Sequence, residues 1–509
     1  MMLSLLKKLY HTGLSTPAGL WYLLQAIMTD GVSLMVLLRI AAQLHPDRIA
    51  VTDDTDQLRY TQLWAQAETL AVALHTEYGV GSRQKVALVC RNHAAAVKAI
   101  FAVSRLGAHL FLLNPEMSAD QLVALQNRLR FNFAIYDESL ADVFKNAALR
   151  NKSLPAYHPT DDSVDRLSST SYCKRLQYRE IGSGNIVVMT GGTTGQPKSE
   201  SRKPSLFNYL PPFFTFLIQA DLDRYRSLYI TTPLCHGYGL AFLFIGIALG
   251  AEIYCLERFD AARACALVAA HKIQAMIVVP LILQRMLTHD PGALPSLQCI
   301  ITGSALLSPT LARETLEQLG PKLFNLYGSS EAGFSLIATP RTLARKPDSI
   351  GKPLRGVQAK IVNAAGQEVG EKTIGELCIR STWTSNRTHW VETGDLAYRD
   401  AEGDIFLCGR VDDMIVSGGE NVYPVELENI LTQHPDVDSA AVFGIPDAEF
   451  GQRLKAVVIK KPNATLAPST LQDWLKPRVA RYQMPAVIEF WDELPHTSIG
   501  KRDMKSLRG

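Results

Sequence analysis

From residue 50 to about 340, short apolar runs alternate with longer segments of helical character, and this alternation leaves few architectures open. "KVALVC" (85–90), "HLFLLN" (109–114), "FAIYD" (133–137), "AMIVVP" (275–280) and "QCIITGSA" (298–305) have the length and unbroken hydrophobicity of strands covered on both faces. Between them, "HAAAVKAIFAVSRLGA" (93–108) and "SPTLARETLEQLG" (308–320) predict helices, the second capped by Ser308 and closed by Gly320. Strand–helix alternation implies mostly parallel or mixed sheets flanked by helices, an α/β fold. From 350 to 408 the pattern changes to short strands and turns, with "NAAG" (363–366) and "DAEGD" (400–404) as turns, so a β-rich subdomain is expected. After Arg410 a small α+β unit begins. It has a helix from Pro424 to Gln433, strands at 439–445 and 454–461, and a helix near Ser469 to Ala480. A chain of 509 residues exceeds a single core. The expected division is a helical extension (1–40), a large domain (41–410) and a small C-terminal domain (411–509).

The formal net charge of +3 is too small to argue for a nucleic-acid partner. The eight cysteines form no CxxC pair, which points to a reducing compartment and a cytoplasmic protein rather than to zinc or disulfides. Near the N-terminus, Lys7 and Lys8 precede an apolar stretch around Leu20 to Met28, without a small-residue cleavage site. Two readings stand for it: a helix packed on the main body, or an anchor lying on the inner face of a membrane. The apolar segment 237–251 is too short to span a bilayer, and its flanks carry Pro233, His236 and Glu252 rather than anchoring charges, so a buried helix is expected.

"NIVVMTGGTTGQPKSES" (185–201) carries the chemistry. A buried strand runs into the Gly/Thr sequence Thr190 to Gly195, then Lys198. Glycines such as Gly192 let backbone N–H groups approach an anion closely. Thr190, Thr193 and Thr194 add hydroxyl donors, and Lys198 adds a point charge suited to phosphate. The loop is not a Walker motif, because Pro197 stands directly before the lysine, and no GxGxxG fingerprint accompanies it.

This loop resembles the phosphate loop of the adenylate-forming superfamily, and further motifs follow in the order that family shows. "NLYGSSEAG" (325–333) is similar to its Tyr-Gly-x-Thr-Glu motif. "ETGDLAYRDAEGDIFLCGRVDDMIVSGGENVYPVELE" (392–428) is similar to its Thr-Gly-Asp segment and hinge, and "PHTSIGKRDMKSL" (495–507) to its terminal lysine motif. Within the superfamily the resemblance is nearest to bacterial fatty acyl-CoA synthetases. It implies a mobile C-terminal domain and a two-step reaction: a carboxylate attacks ATP to give acyl-AMP, then CoA displaces AMP. It also implies roles. Thr190, Gly192, Thr193, Thr194 and Lys198 would hold the phosphates. Thr193 and Glu331 would bind Mg²⁺. Ser304, Asn325, Tyr327, Gly328 and Ser330 would line the nucleotide site, and Asp395 and Arg410 would contact the ribose. Lys501 would bridge the reacting carboxylate and α-phosphate. Asp412 would be the hinge, and Gly418, Gly419 and Glu420 would line the CoA tunnel.

For the acid, "PLCHGYGLAF" (233–242) has no carboxylate to pair with an amine, which argues against amino acids. The resemblance places His236, Gly237 and Leu240 along an acyl channel facing Gly303 and Ala305, although His236 also reads as a satisfied core histidine. An apolar channel suits a fatty acid. Three departures stand out: Gly191 in place of the usual Ser, Ser199-Glu200 in place of the usual Gly, and a shortened segment between Cys378 and Asp395. Two alternatives accompany the CoA ligase reading. One is an acyl-AMP ligase loading an acyl carrier protein; the other is a catalytically weak member of the fold.

Overall fold

The computed structural model describes the chain apart from residues 1, 32, 147–151, 171–183, 191–197, 203–205, 330–331, 382–388, 418–419, 448–449, 498–500 and 509. It separates into two units. The first comprises Met1–Val278 with Arg285–Ile301, and the second Val279–Gln284 with Thr302–Gly509.

In the first unit, a six-stranded sheet has the order Ser153–Pro155, Phe133–Tyr136, Lys85–Val89, His109–Leu112, Ile186–Thr190, Lys198–Arg202. All its pairings are parallel except the last. The predicted strands form because their Val, Ile, Leu and Phe side chains are buried on both faces. The edge strand Lys198–Arg202 was not expected: "KSESR" has no apolar pattern, and backbone pairing with its neighbour holds it. Ser227–Ile230, Glu252–Tyr254 and Ile49–Thr52 lie parallel in a second sheet, with Gln57–Arg59 antiparallel at its edge. The helix Ala94–Arg105 is buried along its whole length, so even Lys98 and Arg105 need partners. Lys98 Nζ meets Asp165 at 2.8 Å, and Arg105 Nε meets Glu68 at 3.2 Å. The apolar segment 237–251 becomes the buried helix Gly237–Ala248, as expected. No described helix is long and apolar enough to cross a membrane.

The second unit carries an antiparallel sheet in the order Val357–Val362, Gly375–Ser381, Val391–Arg399, Ile405–Arg410, Ser349–Pro353, Gly333–Ala338, Leu323–Ser329. A small sheet follows: Glu420–Val422, Ile415–Ser417, Gly451–Lys460, Val437–Asp447, with Val487–Trp491 parallel to Gly451–Lys460. Its core includes Leu427, Leu431, Val442, Leu454, Val458 and Leu471, all essentially inaccessible. Each such side chain contributes about 1.5–3 kcal/mol on burial. The helix expected near Ser469 to Ala480 is Pro468–Leu475, because Pro477 has no N–H with which to continue the ladder. The seven described cysteines are buried thiols without disulfides.

Candidate active site

Asp395 and Arg410 face each other across the antiparallel strands Val391–Arg399 and Ile405–Arg410. That register brings Arg410 Nη1 to 2.9 Å from Asp395 Oδ1. The guanidinium lies over Gly394, whose φ is +71°; a Cβ there would stand 2.7 Å from Arg410 Nη2. The glycine of "TGD" is thus required twice, for backbone conformation and for the space that Arg410 occupies. Tyr327 reaches the same carboxyl from the strand Leu323–Ser329 and donates its hydroxyl to Oδ2 at 2.5 Å. Burial raises the Asp395 pKa above the ordinary carboxylate value, while Tyr327, Arg410 and Lys501 pull it back. Burial and the neighbouring Asp395 charge push the Tyr327 phenol well up, so it is a neutral donor. With one bond on each oxygen, the carboxylate keeps lone pairs with which to accept further hydroxyl groups, such as the two of a ribose.

Lys501 belongs to the same unit. Its carbonyl accepts the Thr497 N–H at 2.7 Å and the Thr497 hydroxyl at 3.1 Å. The next residue, Arg502, pairs with Glu428 at 2.6 Å, and the other Glu428 oxygen accepts the Val442 N–H at 2.8 Å. The lysine backbone is therefore fixed on both sides. Its side chain stands exposed, with its charge among those acting on Asp395. Asp412 is exposed in the short turn Val411–Asp413, directly after Arg410. Glu420 pairs with Ser417 in the strand that follows. Gly418 and Gly419 lie outside the described residues.

Other expected nucleotide residues divide into three groups. Gly192, Thr193, Thr194, Ser330 and Glu331 lie outside the described residues. Thr190 and Lys198 are direct cross-strand partners, so the Gly/Thr segment connects two antiparallel strands. Asn325 is buried and donates its amide to the Ser349 carbonyl at 3.2 Å, in the sheet that carries Tyr327. Gly328 sits where the strand register shifts; a Cβ there would be 2.6 Å from the Gly333 carbonyl. Gly303 ends the strand Cys299–Gly303, with Ser304 and Ala305 half-buried after it. Ser304 holds φ +66°. For a residue with a Cβ, that conformation costs about 1–2 kcal/mol.

In the first unit, His236 precedes the helix Gly237–Ala248, in which Leu240 is buried. A side chain added at Gly237 would meet nothing within 4 Å, whereas Gly239 sits 2.6 Å (by its would-be Cβ) from the Pro233 carbonyl. One residue missed in the sequence holds this turn. Buried Asn92 donates its amide to the Thr232 carbonyl at 2.9 Å and accepts the Leu234 N–H at 2.7 Å. The available signal was a polar residue three positions past the buried strand Lys85–Val89, where ligands gather in α/β sheets. Its neighbours form a second buried network. His93 Nδ1 accepts the Ala96 N–H at 3.1 Å, so Nε2 carries the proton it donates to Asp137 at 2.8 Å. Asp137 also accepts the Arg91 N–H at 2.9 Å. Asn92→Ala leaves two buried backbone groups unpaired, at about 1–3 kcal/mol each. We expect a stability loss of that order in denaturant unfolding, and a larger rise in KM for the acid than for ATP. An unchanged KM for the acid would reduce Asn92 to a purely structural part.

Comparison with known proteins agrees with this geometry. Residues 38–387 match the AMP-binding enzyme family and residues 426–501 its C-terminal domain. An indoleacetate–CoA ligase of Aromatoleum aromaticum is 30% identical over 496 residues, covering 90% of this chain and 94% of its own. A 2-succinylbenzoate–CoA ligase of Bacillus subtilis is 26% identical, with 90% and 94% covered. A medium/long-chain-fatty-acid–CoA ligase of Mycobacterium tuberculosis is 30% identical over 63% of this chain and 60% of its own. Among solved structures, the o-succinylbenzoate CoA synthetase of Bacillus subtilis with its acyl-adenylate intermediate superposes with a TM-score of 0.80 at 26% identity, covering 93% of this chain and 98% of that one. The amide bond synthetase of Marinactinospora thermotolerans gives 0.81 at 25%, with 93% and 99% covered. The chain belongs to the family of AMP-binding enzymes.

Proposed function

We propose that this protein is an acid–CoA ligase that works through an acyl-adenylate. A carboxylate oxygen attacks the α-phosphorus of ATP, forming the mixed anhydride and breaking the α–β phosphoanhydride bond, and pyrophosphate leaves. The CoA thiol then loses its proton, its sulfur bonds to the acyl carbon, and AMP departs. The observation that carries this reading is the joining of Tyr327, Asp395 and Arg410 in one cluster, within the electrostatic reach of Lys501. Asp395 and Arg410 take the ribose, and Tyr327 holds the carboxyl in place. Lys501 screens the repulsion between the two reacting anions. Thr193 and Glu331 are the residues we assign to Mg²⁺, with Thr190, Thr194 and Lys198 on the phosphates. Asp412 is the assigned hinge, and Gly418, Gly419 and Glu420 the CoA tunnel.

For the acid we propose a hydrophobic carboxylate, with a fatty acid as the first choice. The helix after His236 is apolar throughout and carries no charged residue. An aromatic acid is the second reading, supported by the relatives named for indoleacetate and succinylbenzoate. Both are tested by following products from ATP, Mg²⁺ and CoA with saturated fatty acids of graded length and with arylacetic acids. Acyl-CoA with a clear length optimum supports the fatty acid. Turnover of aryl acids alone replaces it. Acyl-AMP that accumulates despite CoA makes an acyl carrier protein the acceptor instead.

A further inference from the structure

We propose that the outward face of the helix Pro17–Asp30 docks on the surface of a lipid bilayer carrying anionic headgroups. This helix is apolar on both sides. Inward, Gly19, Ala26 and Asp30 are buried, and Leu23 packs with Ala26, Val36 and Ile40. Gly19 permits that seat, since a Cβ there would fall 2.1 Å from the Gly13 carbonyl. Outward stand Leu20, Trp21, Leu24, Ile27 and Met28, respectively 50, 64, 58, 40 and 79% exposed. Their spacing puts them on one stripe of the helix. No charged residue occurs from Pro17 to Thr29. A contiguous exposed stripe of this kind marks a contact surface.

Three features select a bilayer over a second protein. The first is size. At those exposures the five side chains offer on the order of 600 Å² of accessible surface, short of the ~800 Å² that a stable interface buries per partner. A bilayer needs no complementary surface. The second is composition. Trp21 suits the boundary between headgroups and acyl chains, and so does Tyr10, which is 62% exposed on the preceding helix. Exposed Lys7 supplies charge for anionic headgroups, whereas Lys8 is committed to Asp221 and Asp223. The third is length: the helix is too short to span and so lies in the membrane plane. The proposal does not depend on which acid is activated.

The test is flotation of the full chain with vesicles of phosphatidylcholine and phosphatidylglycerol in equal parts, alongside sedimentation without lipid. Wild type should float. Leu24→Glu/Met28→Glu, at exposed positions, should lose binding by about tenfold or more while adenylating a water-soluble acid as wild type does. Val123→Glu, at an exposed apolar position outside the stripe, should float like wild type. The proposal fails if wild type stays with the unbound fraction or if the double variant floats equally well. It fails as well if wild type is a dimer that the double variant dissolves, without vesicle binding; the stripe would then seat a second copy.

Discussion

Lys501→Ala is expected to lower acyl-adenylate formation by about 10²–10³-fold, the range found when a preorganised donor to developing charge is removed. Folding should be unaffected, because the side chain is exposed and the segment is anchored elsewhere: at Thr497 by two hydrogen bonds and at Glu428 through Arg502. Two assays separate the half-reactions. ATP–pyrophosphate exchange should be lost, while transfer of a preformed acyl-AMP to CoA should persist, since in the proposed reaction the ammonium serves only the step in which two anions approach. Arg502→Gln keeps the ammonium but frees its backbone from buried Glu428, so it should give a smaller loss in the same exchange assay. Exchange at the wild-type rate in Lys501→Ala would refute the assigned role. Equal loss of both half-reactions would point to a general structural defect instead.

The strands of the first unit were legible because a parallel strand covered on both faces must be apolar throughout, and "KVALVC", "HLFLLN" and "FAIYD" are. Ser308 and Gly320 were legible for a local reason: the Leu311 N–H needs an acceptor, which the Ser308 hydroxyl provides at 3.2 Å, and the residue past the helix takes φ +82°. What escaped was held by partners distant in sequence. The strand Lys198–Arg202 exists through pairing with Ile186–Thr190, a property that no side-chain pattern encodes. Asn92 acts on Thr232 and Leu234, some 140 residues away by sequence separation, so nothing local announces it. That Asp395 and Arg410 share one site was expected from motif resemblance, whereas the Tyr327 hydroxyl on the Asp395 carboxyl was not. The reason for Gly394, the guanidinium lying over it, was not either, because that contact depends on strand register.

Asp395→Asn is the second large effect expected, and its sign on stability is opposite to its sign on activity. Burial raises the folded-state pKa of Asp395 above the ordinary carboxylate value, despite the help of Tyr327, Arg410 and Lys501. An acid with a raised folded pKa binds its proton more tightly folded than unfolded. As pH rises from the unfolded value through the folded one, the fold therefore loses stability, and the full loss is present at neutral pH. Asparagine removes that charge but keeps the shape. Its carbonyl can still accept from Tyr327, and Arg410, with 42% of its side chain exposed, is left for water to solvate. Unfolding at pH 7 should thus show a variant no less stable than wild type, with any advantage shrinking below the raised pKa. Activity should move the other way. An ionised carboxylate is the stronger acceptor for ribose hydroxyls, and each charge-assisted bond contributes about 1.5–3 kcal/mol, so exchange at subsaturating ATP should fall by about 10–100-fold. Wild-type exchange should also decline as pH is lowered into the range where Asp395 takes up its proton, and that limb should vanish in the variant. A variant that is clearly destabilised yet binds ATP normally would mean that the carboxylate serves the sheet rather than the nucleotide.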